Sequence, residues 1–102
     1  MGLVKVARAG DMSPGTGRVV QAEGVVLALF NLGGTFYALN NTCPHAGGPL
    51  GEGKLDGNVV TCPLHGSRFD ITNGQVLRPP ARRPVPAYPV RVQEGIVFVE
   101  LP

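Results

Sequence analysis

The sequence predicts an all-β domain built from antiparallel strands. Its 102 residues include 15 glycines and 10 prolines, which indicate many turns. The segments between these turn formers are short and rich in β-branched and aromatic residues, as strands are. No segment shows the apolar periodicity of an amphipathic helix. A chain of this length buries one core, so we expect a single domain over residues 1–102.

The predicted strands follow one another along the chain. Residues 3–8 form the first, and residues 18–22, 25–32 and 35–39 form a meander whose last two strands are joined by Gly33-Gly34. Residues 59–61, 69–71, 75–77, 90–92 and 96–99 continue the pattern. The proline-rich residues 79–89 cannot form a central strand because proline lacks the N–H donor, so we expect a surface loop. The sheet core should include Val25, Leu27, Leu29, Phe36 and Leu39.

Both cysteines and both histidines of the chain lie between residues 43 and 65. Cys43-Pro44-His45 is followed by sixteen residues and then by Cys62-Pro63-Leu64-His65. Two thiolates and two imidazoles are ligands for zinc or for an iron–sulfur centre. A structural zinc site usually takes a cysteine pair from one arm and a histidine pair from another, whereas each arm here mixes the two. The mixing favours a dinuclear cluster. A single zinc site is the alternative, and a disulfide would leave both histidines unexplained.

The two arms and their surroundings resemble the Rieske [2Fe-2S] binding motif. Residues 42–50 resemble its first cluster loop, residues 62–70 its second, and Pro79-Pro80 the third loop, which covers the cluster. The resemblance implies an antiparallel β sandwich with a small cluster-binding subdomain at about residues 41–72. It also implies one iron held by Cys43 and Cys62 and the other by His45 and His65.

The residues around the four ligands are expected to tune the cluster. Glycine lets backbone N–H groups approach sulfur closely, which applies around Gly47, Gly48 and Gly66. Ser67 matches a serine that donates to sulfur in respiratory Rieske proteins. Phe69 stands where those proteins carry a tyrosine donor, and the chain lacks the cysteines of their extra disulfide, which favours the low-potential ferredoxin subclass. Water should be excluded by three further residues, namely Leu50, Leu64 and Pro80.

The function implied by the resemblance is electron transfer, because the chain has no nucleophile–base pair, nucleotide loop or substrate-pocket motif. The expected partners are an NAD(P)H-dependent flavin reductase and a terminal oxygenase acting on aromatic compounds. One alternative is a small Rieske subunit of a nitrite reductase or of another oxidoreductase complex. The other is a zinc-stapled interaction domain.

Charge and hydropathy narrow the partners further. A net charge of +2 is too small to indicate nucleic-acid binding. No secretory signal and no run of about 18 apolar residues is visible, so a cytoplasmic location is expected. The basic residues near the covering loop predict a docking patch for an acidic protein surface, formed by Arg68, Arg78, Arg82 and Arg83.

Overall fold

The computed structural model describes residues 2–44 and 47–102, and its strands form three antiparallel sheets. In chain order the strands are β1 (Gly2–Arg8), β2 (Thr16–Ala22), β3 (Val25–Leu32), β4 (Thr35–Asn40), β5 (Lys54–Asp56), β6 (Val59–Thr61), β7 (Arg68–Asp70), β8 (Val76–Arg78), β9 (Ala87–Tyr88), β10 (Val90–Gln93) and β11 (Ile96–Leu101). The terminal sheet has the order β1-β11-β10, the meander sheet β2-β3-β4-β9, and the loop-bearing sheet β5-β6-β7-β8. The predicted all-β antiparallel class is therefore confirmed.

Helical structure in the described residues is limited to two short 3₁₀ turns, Ala9–Asp11 and Leu50–Glu52. Within the described ranges, no helix is long and apolar enough to span a membrane. The predicted strands occur within one or two residues of their expected ends. The strand β5 is an addition, since turn residues surround its three positions and hide it in the sequence.

The proline-rich stretch differs in part from the surface loop that its composition predicts. Ala81 and Val85 are buried, and β9 pairs with β4 at the edge of the meander sheet. The edge position accommodates proline because only one side of the strand needs a partner. The Asn40 amide donates a 2.8 Å hydrogen bond to the Pro86 carbonyl, which aligns this short pairing.

The strand β3 separates two hydrophobic cores. Its run of apolar residues is nearly continuous because both of its faces are covered. Leu27 and Leu29 pack in one core with Val97 and Val99 of the terminal sheet. Ala28 and Phe30 pack in the other with residues of the loop-bearing sheet. Of the five predicted core residues, four are buried, and Val25 is half-buried against the first of these cores.

The second core brings the two predicted ligand loops together. The first loop begins after β4 of the meander sheet, and the second joins β6 to β7 of the loop-bearing sheet. The inner face of the loop-bearing sheet aligns Leu55, Val60, Phe69 and Val76 in cross-strand register. These residues pack in the same core as Phe30 and both cysteines. The packing of the two sheets therefore carries the two loops to one end of the molecule.

Candidate metal centre

The first ligand loop is closed at its base by Asn41. The Asn41 carbonyl accepts a hydrogen bond from the Leu50 amide, and its side-chain oxygen accepts one from the Gly51 amide, both at 2.8 Å. Within the loop, the Cys43 amide donates to the Gly48 carbonyl at 3.0 Å. Cys43 itself is only 1% exposed. His45 and Ala46 lie outside the described residues, so the assignment of His45 as a ligand stays a prediction.

The second ligand loop is closed by its own backbone. The Cys62 amide donates a 2.7 Å hydrogen bond to the Ser67 carbonyl, so the loop returns to its starting point within six residues. Cys62 is 1% exposed, whereas His65 is exposed. His65 adopts the left-handed φ of 69°, and Gly66 follows at 78°. Two successive left-handed residues reverse the chain and leave the imidazole at the surface.

The two cysteine sulfurs face each other inside the protein. Burial raises the pKa of the Cys62 thiol, a hydrogen bond from the Leu64 backbone lowers it, and the adjacent, hydrogen-bonded Cys43 sulfur raises it again, with a net increase. Both cysteines are free thiols. Two buried thiolates side by side repel each other unless a cation compensates them, and iron supplies that charge. The donor pair therefore fits a metal centre.

Gly48 brings the first loop against the second cysteine. A Cβ atom at this position would lie 2.6 Å from the Cys62 sulfur and 3.2 Å from Cγ of Leu64. Only glycine permits this approach. The expectation that amides around Gly47, Gly48 and Gly66 approach the cluster sulfur stays a prediction, and the Gly47 amide donates at 2.8 Å to the Cys43 carbonyl. The Leu64 backbone is the donor to a cysteine sulfur that the sequence did not indicate.

The covering loop is attached to the second ligand loop through Ser67. Ser67 is fully buried, and its hydroxyl oxygen accepts a 2.9 Å hydrogen bond from the Ala81 amide. The Val85 amide donates at 2.9 Å to the Gly74 carbonyl and fixes the far side of the loop. Between the β8 strand and Ala81, the Pro79-Pro80 peptide bond is cis. The Ser67 hydroxyl oxygen thus accepts a hydrogen bond from the covering loop, and its own hydrogen remains available for donation to an acceptor.

The predicted water-excluding residues are placed differently from one another. Leu50 is fully buried, and Pro80 is half-buried. Leu64 covers Gly48 but leaves 45% of its surface exposed, so it also offers an apolar contact next to His65. Phe69 is fully buried in the core that contains both cysteines. The ring therefore contributes to the dry surroundings of the thiols.

The geometry places the thiols of Cys43 and Cys62 next to each other. Outside residues 45 and 46, the chain contains no cluster of three or more cysteine, histidine or acidic side chains that would hold one metal ion. Asn41 and Ala81 complete the set of residues that shape the site. Sequence inspection identifies Asn41 only as a turn former, and nothing in the sequence marks Ala81.

Comparison with known proteins gives a consistent result. A family model described as a Rieske [2Fe-2S] domain matches residues 2–89. Ferredoxin CarAc of Metapseudomonas resinovorans is 42% identical over 97 residues, which cover 94% of this chain and 91% of CarAc. The 3-phenylpropionate/cinnamic acid dioxygenase ferredoxin subunit of Escherichia coli K12 is 46% identical over 78 residues, or 76% of this chain and 74% of that subunit.

A solved structure extends the similarity to three dimensions. It is described as a complex of reduced oxygenase and oxidized ferredoxin in carbazole 1,9a-dioxygenase. One of its chains matches with a TM-score of 0.91 and 41% identity. The match covers 96% of this chain and 92% of that one. Fold and sequence thus agree over nearly the whole length of both chains.

Proposed function

The chain belongs to the Rieske [2Fe-2S] domain family, and from this premise we propose that it is the electron-carrying ferredoxin of an oxygenase system. In this role it accepts single electrons from an NAD(P)H-dependent flavin reductase and delivers them to a terminal oxygenase that acts on aromatic rings. The observation that carries the proposal is the pair of buried, facing thiols of Cys43 and Cys62 at the ends of two closed loops.

We assign four ligands to the [2Fe-2S] cluster. Cys43 and Cys62 would hold one iron, and His45 and His65 the other, as in Rieske centres generally. When bound, the cluster supplies reversible one-electron chemistry. Neutral imidazoles carry less negative charge than thiolates, so this ligand set makes electron uptake easier than four cysteines would.

The protein residues hold and shield this centre. Leu50 and Phe69, both fully buried, keep water from the cysteine side. The exposed His65 gives the histidine side a route to solvent and to partner proteins. A cluster buried on one side and accessible on the other suits a carrier, because the electron has to leave through a defined surface.

The oxygenase as partner is supported by the relatives. One relative is named a dioxygenase ferredoxin subunit. The other is described as a complex of an oxygenase with a ferredoxin. The proposal also includes a flavin reductase, because the carrier needs a donor of electrons from NAD(P)H. It further includes a cytoplasmic location. A ferredoxin of this kind catalyses no reaction by itself.

The first test is the composition and spectrum of the purified protein. We expect two irons and two acid-labile sulfides per chain, with the electron paramagnetic resonance signal of a reduced Rieske centre. A colourless protein with one zinc per chain would overturn the proposal in favour of an interaction domain. Cys62→Ser serves as the control and should lose the signal.

The second test concerns the role in an oxygenase system. The protein should replace the ferredoxin in a reconstituted carbazole 1,9a-dioxygenase assay and support product formation with NADH. The Cys62→Ser variant should support none. If the wild-type cluster is intact and reducible but transfers no electrons to any ring-hydroxylating oxygenase tested, the assignment to that class of system is wrong.

A further inference from the structure

The four arginines of the predicted docking patch fall into two pairs. Arg82 and Arg83 line an open groove of about 560 Å³ whose other walls are Pro44, Pro79 and Pro80. We call this surface the proline–arginine groove. Arg68 and Arg78 instead pair across β7 and β8, where the register is irregular. We call Arg68, Arg78 and Lys54, which shares their cross-strand row, the basic row.

The groove has the chemistry of a carboxylate site. Its three prolines have neither a backbone N–H nor a side-chain donor, so the side-chain donors of the described wall are the two guanidinium groups, each with five N–H donors. No lining residue is acidic. Within the described residues the side chains of Arg82 and Arg83 make no hydrogen bond or ion pair. Concave walls focus the field of such charges, and guanidinium binds carboxylates bidentately.

The groove also lies next to the proposed cluster. Pro44 directly follows Cys43 in the first ligand loop. Pro80 precedes Ala81, whose amide is bound by Ser67 of the second ligand loop. A group seated in the groove therefore touches the first ligand loop and the covering loop, which is hydrogen-bonded to the second ligand loop. A partner anchored here is within a short distance of the centre.

The basic row occupies a neighbouring face of the loop-bearing sheet. Thr61 pairs with both Lys54 and Arg68, so these side chains share one face, and Arg78 pairs with Arg68 across an irregularity in the register of β7 and β8. Like charges on paired residues destabilise a sheet. Within the described residues, neither Arg68 nor Arg78 forms an ion pair that would offset their repulsion. The row lies at the end of β6 and β7 that adjoins the second ligand loop.

Acidic residues lie on the same face but farther from the ligand loop. Asp56 and Asp70 are each two residues along their strands from the basic row, and both pair with Val59. Positive charge is therefore concentrated at the cluster end of the sheet and negative charge away from it. An acidic surface approaching this protein is turned toward the cluster end.

We propose that the proline–arginine groove seats a carboxylate side chain of the redox partner protein, while the basic row steers the partner's acidic surface during approach. The inference rests on the proposed electron-carrier function, and it adds the chemistry and the place of docking. The groove provides the local contact, whereas the row acts over a distance that salt shortens to about 8 Å at 0.15 M.

The test uses the purified holoprotein and small redox reagents of opposite charge. Reduced protein passes one electron to hexacyanoferrate(III), a trianion, or to tris(1,10-phenanthroline)cobalt(III), a trication, and each reagent is reduced by one unit. We expect the rate with the anion to fall as salt is added. Arg82→Glu with Arg83→Glu should slow electron transfer to the anion on the order of tenfold at low salt and reverse the salt dependence of that rate.

A second readout measures binding without electron transfer. Hexacyanochromate(III) is a redox-inert, paramagnetic trianion that broadens nuclear magnetic resonance signals near its binding site. We expect it to broaden the Nε–H signals of Arg82 and Arg83 before those of Arg68 and Arg78. Arg82→Gln with Arg83→Gln, which is milder than the glutamate pair, removes these Nε–H groups, so its effect is read on the backbone amides of residues 81–83, whose broadening should largely disappear while the fold is kept.

The matched control is Arg8→Glu with Arg91→Glu. These arginines are exposed in β1 and β10 of the terminal sheet, away from the core that contains the cysteines. Both glutamate pairs change the formal net charge from +2 to −2, so a difference between them reports position and not total charge. Iron content and visible spectrum are measured for every variant.

The results test the electron-carrier function and the docking role of the groove separately. A missing iron–sulfur spectrum in the wild type defeats the electron-carrier function itself. An intact spectrum with equal effects of the groove and control pairs, or with no effect of either, overturns the groove as a docking site. The same holds if Arg68→Glu with Arg78→Glu removes the hexacyanochromate contact as completely as the groove variants do.

Discussion

The Ala81 amide donates a 2.9 Å hydrogen bond to the hydroxyl oxygen of Ser67, and both residues are buried. The carbonyl of the same serine accepts from the Cys62 amide at 2.7 Å. One residue therefore connects the loop that holds a proposed ligand with the loop that covers the site. A change at Ser67 affects both loops together.

Ser67→Ala should loosen the covering loop. The Ala81 N–H would be left buried without a partner, which costs about 1–3 kcal/mol. We expect faster hydrogen exchange of the Ala81 amide and a lower guanidinium concentration for loss of the cluster's visible absorption. Ser13→Ala, at an exposed position, is the control and should change neither. Unchanged protection of Ala81 would show that another contact holds the loop.

Gly48→Ala should impair cluster assembly. The added Cβ would lie 2.6 Å from the Cys62 sulfur, so one of the two loops has to move. We expect well below two irons per chain and a weakened visible spectrum, measured by iron and sulfide analysis. Gly10→Ala is the matched control, because a Cβ there meets no atom within 4 Å. Full iron content in the Gly48 variant would contradict the close approach of the loops.

Phe69→Tyr should raise the reduction potential. A phenolic hydroxyl that reaches a cluster sulfur would stabilise the reduced state, which the wild-type ring cannot do. The wild-type potential is therefore expected toward the lower end of the Rieske range of about −150 to +300 mV. Protein-film voltammetry on both proteins measures the difference. A Tyr variant with lower stability and no upward shift would show that the ring edge faces away from the sulfur.

His65→Cys should retain a cluster and lower its potential. A thiolate in place of a neutral imidazole adds a negative charge, which opposes reduction, and all-cysteine plant-type clusters lie near about −400 mV. Thr42→Cys adds a thiol at an exposed position beside the first loop and should leave the potential unchanged. If the His65 variant keeps the wild-type potential, His65 is not a ligand.

Much of this protein is predictable from local sequence. The strands and turns depend on neighbouring residues, such as Gly33-Gly34 between β3 and β4, and were located to within one or two positions. The four proposed ligands are also a local pattern, because each arm places its Cys and His two or three residues apart. The expected burial of Leu27, Leu29, Phe36 and Leu39 is also confirmed, because these apolar residues lie in strands at the centre of the meander sheet, where neighbouring elements cover them.

Contacts between distant segments were decided only by the tertiary structure. Cys43 and Cys62 follow strands of two different sheets, and they meet because those sheets pack through Phe30, Val60 and Phe69. The docking patch of four arginines stays a prediction, and the structure adds that Arg68 pairs with Arg78 across two strands while Arg82 and Arg83 line the groove. Ser67 reaches Ala81 across fourteen residues. Sequence patterns record short-range preferences, whereas these pairings depend on how whole sheets and loops pack.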